Sequence, residues 1–136
     1  MFQVFGEIDI APPLTWSEVE PSGFAVMNAK GVPKPPAGQF VELIPVEDIV
    51  ARPEGTLHRF TFSKVVAAGN EVPEDQREAF RAQVAAVIAA FPTHVFGAVS
   101  RVIRFRGDLL DDQWRVRLDP DGTVRYQKAD LSWIDP

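Results

Sequence analysis

The chain has 136 residues, 46% of them apolar and 24% charged, with a net charge of −5 and no cysteine. That length suits one domain spanning residues 1–136, with enough apolar side chains to fold without covalent staples. The missing cysteine excludes disulfides, thiolate nucleophiles and Cys-ligated metal centres. The acidic balance argues against bulk attraction to nucleic acid or to an anionic membrane.

The chain opens on alternating residues. Phe2, Val4, Ile8 and Ile10 point one way, and Gln3, Phe5, Glu7 and Asp9 the other, which predicts a strand over 2–10 with one buried face. Pro12-Pro13 is expected to end it, because proline cannot donate to a ladder. Thr15-Trp16-Ser17-Glu18 is a capping box opening a short helix at about 16–20, stopped by Pro21 and Gly23. Residues 21–40 form a long connection rich in proline and glycine, either a mobile loop or an ordered strap. Its Pro33-x-x-Pro36 reads as a stiff spacer rather than a peptide ligand. Strands at about 40–51 and 56–67 flank the Pro53-Glu54-Gly55 turn and make a hairpin, with Phe60 and Phe62 on one face.

One long helix is predicted over 74–91. Phe80, Val84, Val87, Ile88 and Phe91 recur on one stripe, acids sit in the first turn, and Pro92 stops it. An antiparallel meander follows: a strand over 94–106, a turn at 107–112, then Trp114, Val116 and Leu118 alternating with Gln113, Arg115 and Arg117. Asp119-Pro120-Asp121-Gly122 turns the chain into a strand at 123–129, and Leu131-Ser132-Trp133-Ile134 is a tail that packs back or adds a short strand. The expected fold is α+β: a mostly antiparallel sheet of five or six strands, the long helix on one face, a short N-terminal helix, and the other face open.

Two segments resemble a known family. Gly6-Glu7-Ile8-Asp9-Ile10-Ala11-Pro12-Pro13-Leu14-Thr15-Trp16-Ser17-Glu18 reads G-E-I-x-I-x-P-P-L-x-W-x-E, and Phe91-Pro92-Thr93-His94-Val95-Phe96-Gly97 follows the long helix. Together with Trp114-Arg115, Asp121-Gly122 and Trp133, these resemble a family of small uncharacterised proteins from high-GC bacteria and their phages. The resemblance covers both ends of the chain and matches the middle poorly. It implies an α+β domain and a bacterial or phage setting, and it implies no activity.

The chemistry-bearing residues are sparse. His58 and His94 fall on different predicted strands without neighbours at metal-ligand spacing, so no metal is expected, and no cofactor motif occurs. No serine sits in a nucleophile motif, and no catalytic residue is assigned. Glu7 and Asp9 share one strand face and are the best candidates for an acid-based enzyme site; the plainer reading is a solvated polar face. Arginine is the richer signal: Arg101, Arg104, Arg106, Arg115, Arg117 and Arg125 all fall in the meander. Arg115, Arg117 and Arg125 should face away from Trp114, Val116 and Val124, forming a basic stripe on the open face.

These residues point to a small non-enzymatic binding or modulator protein, phage-encoded or phage-derived, that contacts another protein through Arg115, Arg117 and Arg125. The alternatives are an acid-based enzyme and a nucleic-acid binder using the arginine stripe, the latter disfavoured by the lack of interleaved aromatics. No leader and no stretch near the roughly 18 apolar residues of a membrane span are visible, so a cytoplasmic address is expected. Homo-oligomerisation is left open.

Overall fold

The computed structural model describes residues 2–69, 72–108 and 113–129. In chain order these form β1 (Gln3–Thr15), α1 (Trp16–Val19), β2 (Val26–Met27), β3 (Pro33–Lys34), β4 (Val41–Arg52), β5 (Gly55–Ala67), α2 (Arg77–Ala90), β6 (Val95–Arg106), β7 (Gln113–Leu118) and β8 (Val124–Lys128). Six of the strands make one sheet in the order β4-β5-β1-β6-β7-β8, every pair antiparallel. The α+β expectation therefore holds. Most of the turn expected at 107–112 and the tail at 131–134 lie outside the described residues.

The helix departs from the sequence reading. Residues 74–91 are not one long α-helix: Glu74–Gln76 form a 3-10 turn, and α2 itself has 14 residues. No side chain caps either start, so the first turn closes by a tighter bond, Gln76 N–H donating to the Pro73 carbonyl at 2.9 Å. The apolar stripe is as expected. Phe80, Val84, Val87 and Phe91 are buried, with Ile88 packed at their edge. The stripe also starts one step earlier, at Arg77, three residues before Phe80 and only 3% exposed. Its guanidinium lies 5.1 Å from the Trp114 ring centroid and 5.7 Å from that of Phe2, and donates to the Tyr126 hydroxyl at 3.4 Å. A flat cation over aromatic faces is one of the few ways to bury arginine.

Beneath α2 the core is aromatic. Phe105 and Trp114 are direct cross-strand partners, stacked with centroids 3.7 Å apart, and Phe80 meets both edge-on at 5.2 and 5.9 Å. Residues 21–40 form an ordered strap. The β2-β3 pair is closed by Asn28, whose Oδ1 accepts from the Lys30 and Val32 amides. Gln39 ties the strap ends together through the Phe24 and Val41 carbonyls, and Gln83 of α2 accepts from the Phe40 amide at 2.8 Å. Pro33 is buried, which withdraws the P-x-x-P segment from display.

Pro12-Pro13 does not end β1, which continues to Thr15. The prolines fall where the ladder is already interrupted. On the β5 side the register shifts between Asp9 and Leu14, and on the β6 side pairing stops at Ala11 with Val95. Neither proline has a cross-strand partner, so neither leaves a ladder bond unmade. The capping box is present in full: Thr15 Oγ1 accepts from the Glu18 amide, and Glu18 accepts from the Thr15 amide at 3.1 Å. It aims Trp16 at Phe62, 6.3 Å between centroids.

Gly6 is the one position in β1 where only glycine fits. Its φ is +85°, and a Cβ there would lie 2.3 Å from the Val102 carbonyl oxygen.

Candidate binding face of the sheet

Antiparallel register sets side chains in rows across the open face. One row is Glu7, Val102, Arg117 and Arg125, the next is Phe5, Arg104, Arg115 and Gln127, and the third contains Gln3, Arg106 and Gln113. Trp114, Val116, Leu118 and Val124 are buried on the opposite face, so Arg115, Arg117 and Arg125 point outward as the alternation predicts.

The three arginines are not equivalent. Arg117 and Arg125 sit directly opposite each other and share one carboxylate, Asp119. Arg117 Nε lies 3.3 Å from Oδ1, and Arg125 Nε contacts Oδ2. Asp119 is fixed by its turn, its amide donating to the Thr123 carbonyl at 2.8 Å and its carbonyl accepting from the Gly122 amide at 2.9 Å. Arg115 has a neutral partner instead: its Nε donates to Gln127 Oε1 at 2.7 Å. Its cross-strand neighbour is Arg104. Among the described residues no carboxylate pairs with Arg104, Arg106 or Arg115. Arg101 lies opposite Ile8 and borders two other hollows, one with Leu118 and Asp119 and one with Glu7 and Arg104.

Arg104, Arg106 and Arg115, with Phe5, Gln113 and Gln127, line an open cleft of about 380 Å³. Phe5 is 49% exposed there. The stripe expected from sequence includes Arg115 but not Arg104 or Arg106, which the sequence places in the meander without a face. The signal for them is parity: Arg104 and Arg106 alternate with the buried Ile103 and Phe105. That they meet Arg115 rather than Arg117 depends on the β6-β7 register, which composition does not set. The presence of Phe5 corrects the expectation that this face has no exposed aromatic. Phe5 alternates away from the core, and the β1-β6 register sets it opposite Arg104.

The acid pair resolves differently. Between Ile8 and Ile10 the β6 strand bulges, so that residues 97–100 face Asp9 alone. Asp9 Oδ1 accepts from the Val99 amide at 2.9 Å and from the Ser100 amide at 2.7 Å. Burial pushes its carboxyl up, but the Ser100 and Val99 amides, with Arg101 nearby, outweigh this and hold its pKa below the ordinary value. Asp9 is an ionised staple for the bulge. Glu7 lies 3.4 Å from Lys64 and borders a shallow hollow with Phe5 and Arg104. The two carboxylates face different partners and do not converge on a shared point.

The histidines also separate. His58 pairs with Glu47 at 2.5 Å on the exposed hairpin. His94 precedes β6, its side chain 7% exposed, with Nδ1 2.6 Å from the Pro12 carbonyl and Nε2 2.6 Å from Glu18 Oε2. Both partners only accept, so both ring nitrogens donate and the ring is an imidazolium. Glu18 raises the His94 pKa against the opposing effect of burial, and His94 in turn lowers that of Glu18. The Glu18 partner lies 76 residues away in the chain, beyond the reach of any local sequence signal. A ring bonded at both nitrogens has no lone pair to offer a substrate. Among the described residues no three His, Asp or Glu side chains gather as metal ligands.

No protein-family model, curated protein or solved structure matches this chain.

Proposed function

We propose that the chain is a small binding or modulator protein, without catalytic chemistry of its own, that acts by contacting another protein through the open face of β6, β7 and β8. The phage setting rests on the resemblance of its opening and FPTHVFG segments. The observation that supports the binding face is the Arg104–Arg115 pair. Like charges directly opposite on neighbouring strands are destabilising, and among the described residues no carboxylate pairs with either arginine, although the protein carries a net charge of −5. Two guanidinium groups side by side suit an incoming carboxylate, because guanidinium forks pair it in two places. The partner therefore presents acidic side chains.

Arg117 and Arg125 contribute less, since Asp119 already occupies them. The test is anisotropy of labelled poly-glutamate. Reversing Arg104, Arg106 and Arg115 to glutamate abolishes binding on this reading, while reversing Arg117 and Arg125 only weakens it. Equal effects would remove the distinction between the two groups, and poly-glutamate binding unchanged by either set would move the site elsewhere. Phe5 supports a second reading. A half-exposed ring between guanidinia also suits a stacked base, and single-stranded oligonucleotide binding that is lost in Phe5→Ala would favour nucleic acid.

A further inference from the structure

The β4-β5 hairpin runs past the body of the protein. β5 pairs with β1 only as far as Thr61 opposite Thr15, yet β4 and β5 stay paired out to Arg52 and Gly55. Every residue from Glu47 to Arg59 is exposed or half-buried. A two-stranded ribbon on its own is marginal in water, and this one carries Val46 and Ile49, 52% and 60% exposed. Among the described residues its outer strand β4 is a sheet edge, with backbone groups that no neighbouring strand pairs. Pro45 lacks a donor and blocks the edge near the body, leaving Val46–Arg52 open.

We infer that this open edge pairs with the same edge of a second copy, forming a two-fold antiparallel β4-β4 interface centred on Val50. The charge pattern selects the occupant and the register. A two-fold axis normal to the sheet keeps partners on one face, so each residue meets another of the same parity. With Val50 opposite Val50 of the second copy, Asp48 faces Arg52 of the second copy and Arg52 faces its Asp48. Ile49 meets Ala51 on the other face. Moving the axis to Ile49 leaves Asp48 opposite valine and Glu47 opposite alanine. Moving it to Asp48 sets two carboxylates against each other. Only the Val50 register joins an apolar centre to ion pairs on both sides. Asp48 already lies 3.4 Å from Arg59 in its own hairpin, a pair exposed enough to yield to a second partner.

Sedimentation velocity of the full chain tests this. Wild type shifts from monomer to dimer as concentration rises. Arg52→Asp stays monomeric, because it opposes like charges twice, and Asp48→Arg combined with Arg52→Asp restores the dimer. Wild type that remains monomeric throughout, or Arg52→Asp that dimerises unchanged, overturns the proposal. The cysteine-free chain provides a second measurement independent of those variants. Paired residues across antiparallel strands lie about 4.5–5.5 Å apart at Cα, within reach of a disulfide. Val50→Cys therefore cross-links to a dimer under mild oxidation. Leu57→Cys, on the same face one strand inward, does not, and equal cross-linking of both would contradict the register.

Discussion

At the β8 end of the sheet, the strands have α2 beneath them and an arginine cleft above. At the β4 end the hairpin outruns the body, and every residue from Glu47 to Arg59 is exposed or half-buried. The first end is held by packing, with Phe80 set edge-on against the stacked Phe105 and Trp114. That packing leaves side chains on the other face free to carry charge at a local cost. Val41, Leu43, Phe60 and Phe62 anchor the second end in the core, but its tip from Glu47 to Arg59 adds no buried side chain, and what the tip offers is backbone. One sheet thus presents two kinds of surface: guanidinium groups fixed by register, and an edge that another strand can extend.

Breaking the packed end should have the largest effect. Phe80→Ala removes a fully buried ring, and thermal unfolding should report a loss of about 3–5 kcal/mol from lost transfer energy plus a cavity. A variant as stable as wild type would mean that α2 does not close this core. Gly6→Ala comes next. Its positive φ alone costs on the order of 1–3 kcal/mol in a non-glycine residue, and the clash with the Val102 carbonyl forces β1 and β6 apart. Denaturant titration should show a loss at least that large, together with weaker poly-glutamate binding because Phe5 is displaced.

The His94–Glu18 pair predicts a pH profile. His94 has its pKa raised above the ordinary 6.5, so its contribution is full below that value and is lost as pH rises through the folded pKa. Glu18 is lowered from 4.5, so its contribution is present above that value and is lost as pH falls through its folded pKa. Stability from the pair is therefore greatest between 4.5 and 6.5 and declines on the alkaline side. The melting temperature of His94→Gln should lose that alkaline decline, and a retained decline would place the titrating group elsewhere. The smallest effect belongs to the open end: Ile49→Ala, at concentrations where the protein is monomeric, should change stability by less than about 0.5 kcal/mol. A loss comparable to that of Phe80→Ala would mean the hairpin is packed after all.

Much of this was legible in the residues because alternation and stripe are local signals. The faces of β1, β7 and β8, the β4-β5 hairpin, the capping box and the Phe80–Phe91 stripe all follow from spacing alone. What was not legible depends on register. Pro12-Pro13 sits inside β1 only because both ladders are interrupted there. Asp9 becomes a bulge staple only because residues 97–100 loop out opposite it. Arg115 joins Arg104 rather than acting with Arg117 because β6 pairs with β7 at that offset. The strand tip from Glu47 to Arg59 looks like any hairpin in sequence, and only the end of β1 pairing at Thr15 and Thr61 reveals that no third described strand continues beside it.

Amide chemical shifts recorded while poly-glutamate is titrated into the isotopically labelled chain test the binding face most directly, since they read both ends of the sheet in one experiment. The account predicts shifts concentrated at Phe5, Arg104, Arg106, Gln113, Arg115 and Gln127, smaller ones at Arg117 and Arg125, and none from Glu47 to Arg59. Shifts confined to the hairpin, or none anywhere on β6, β7 and β8, would contradict it.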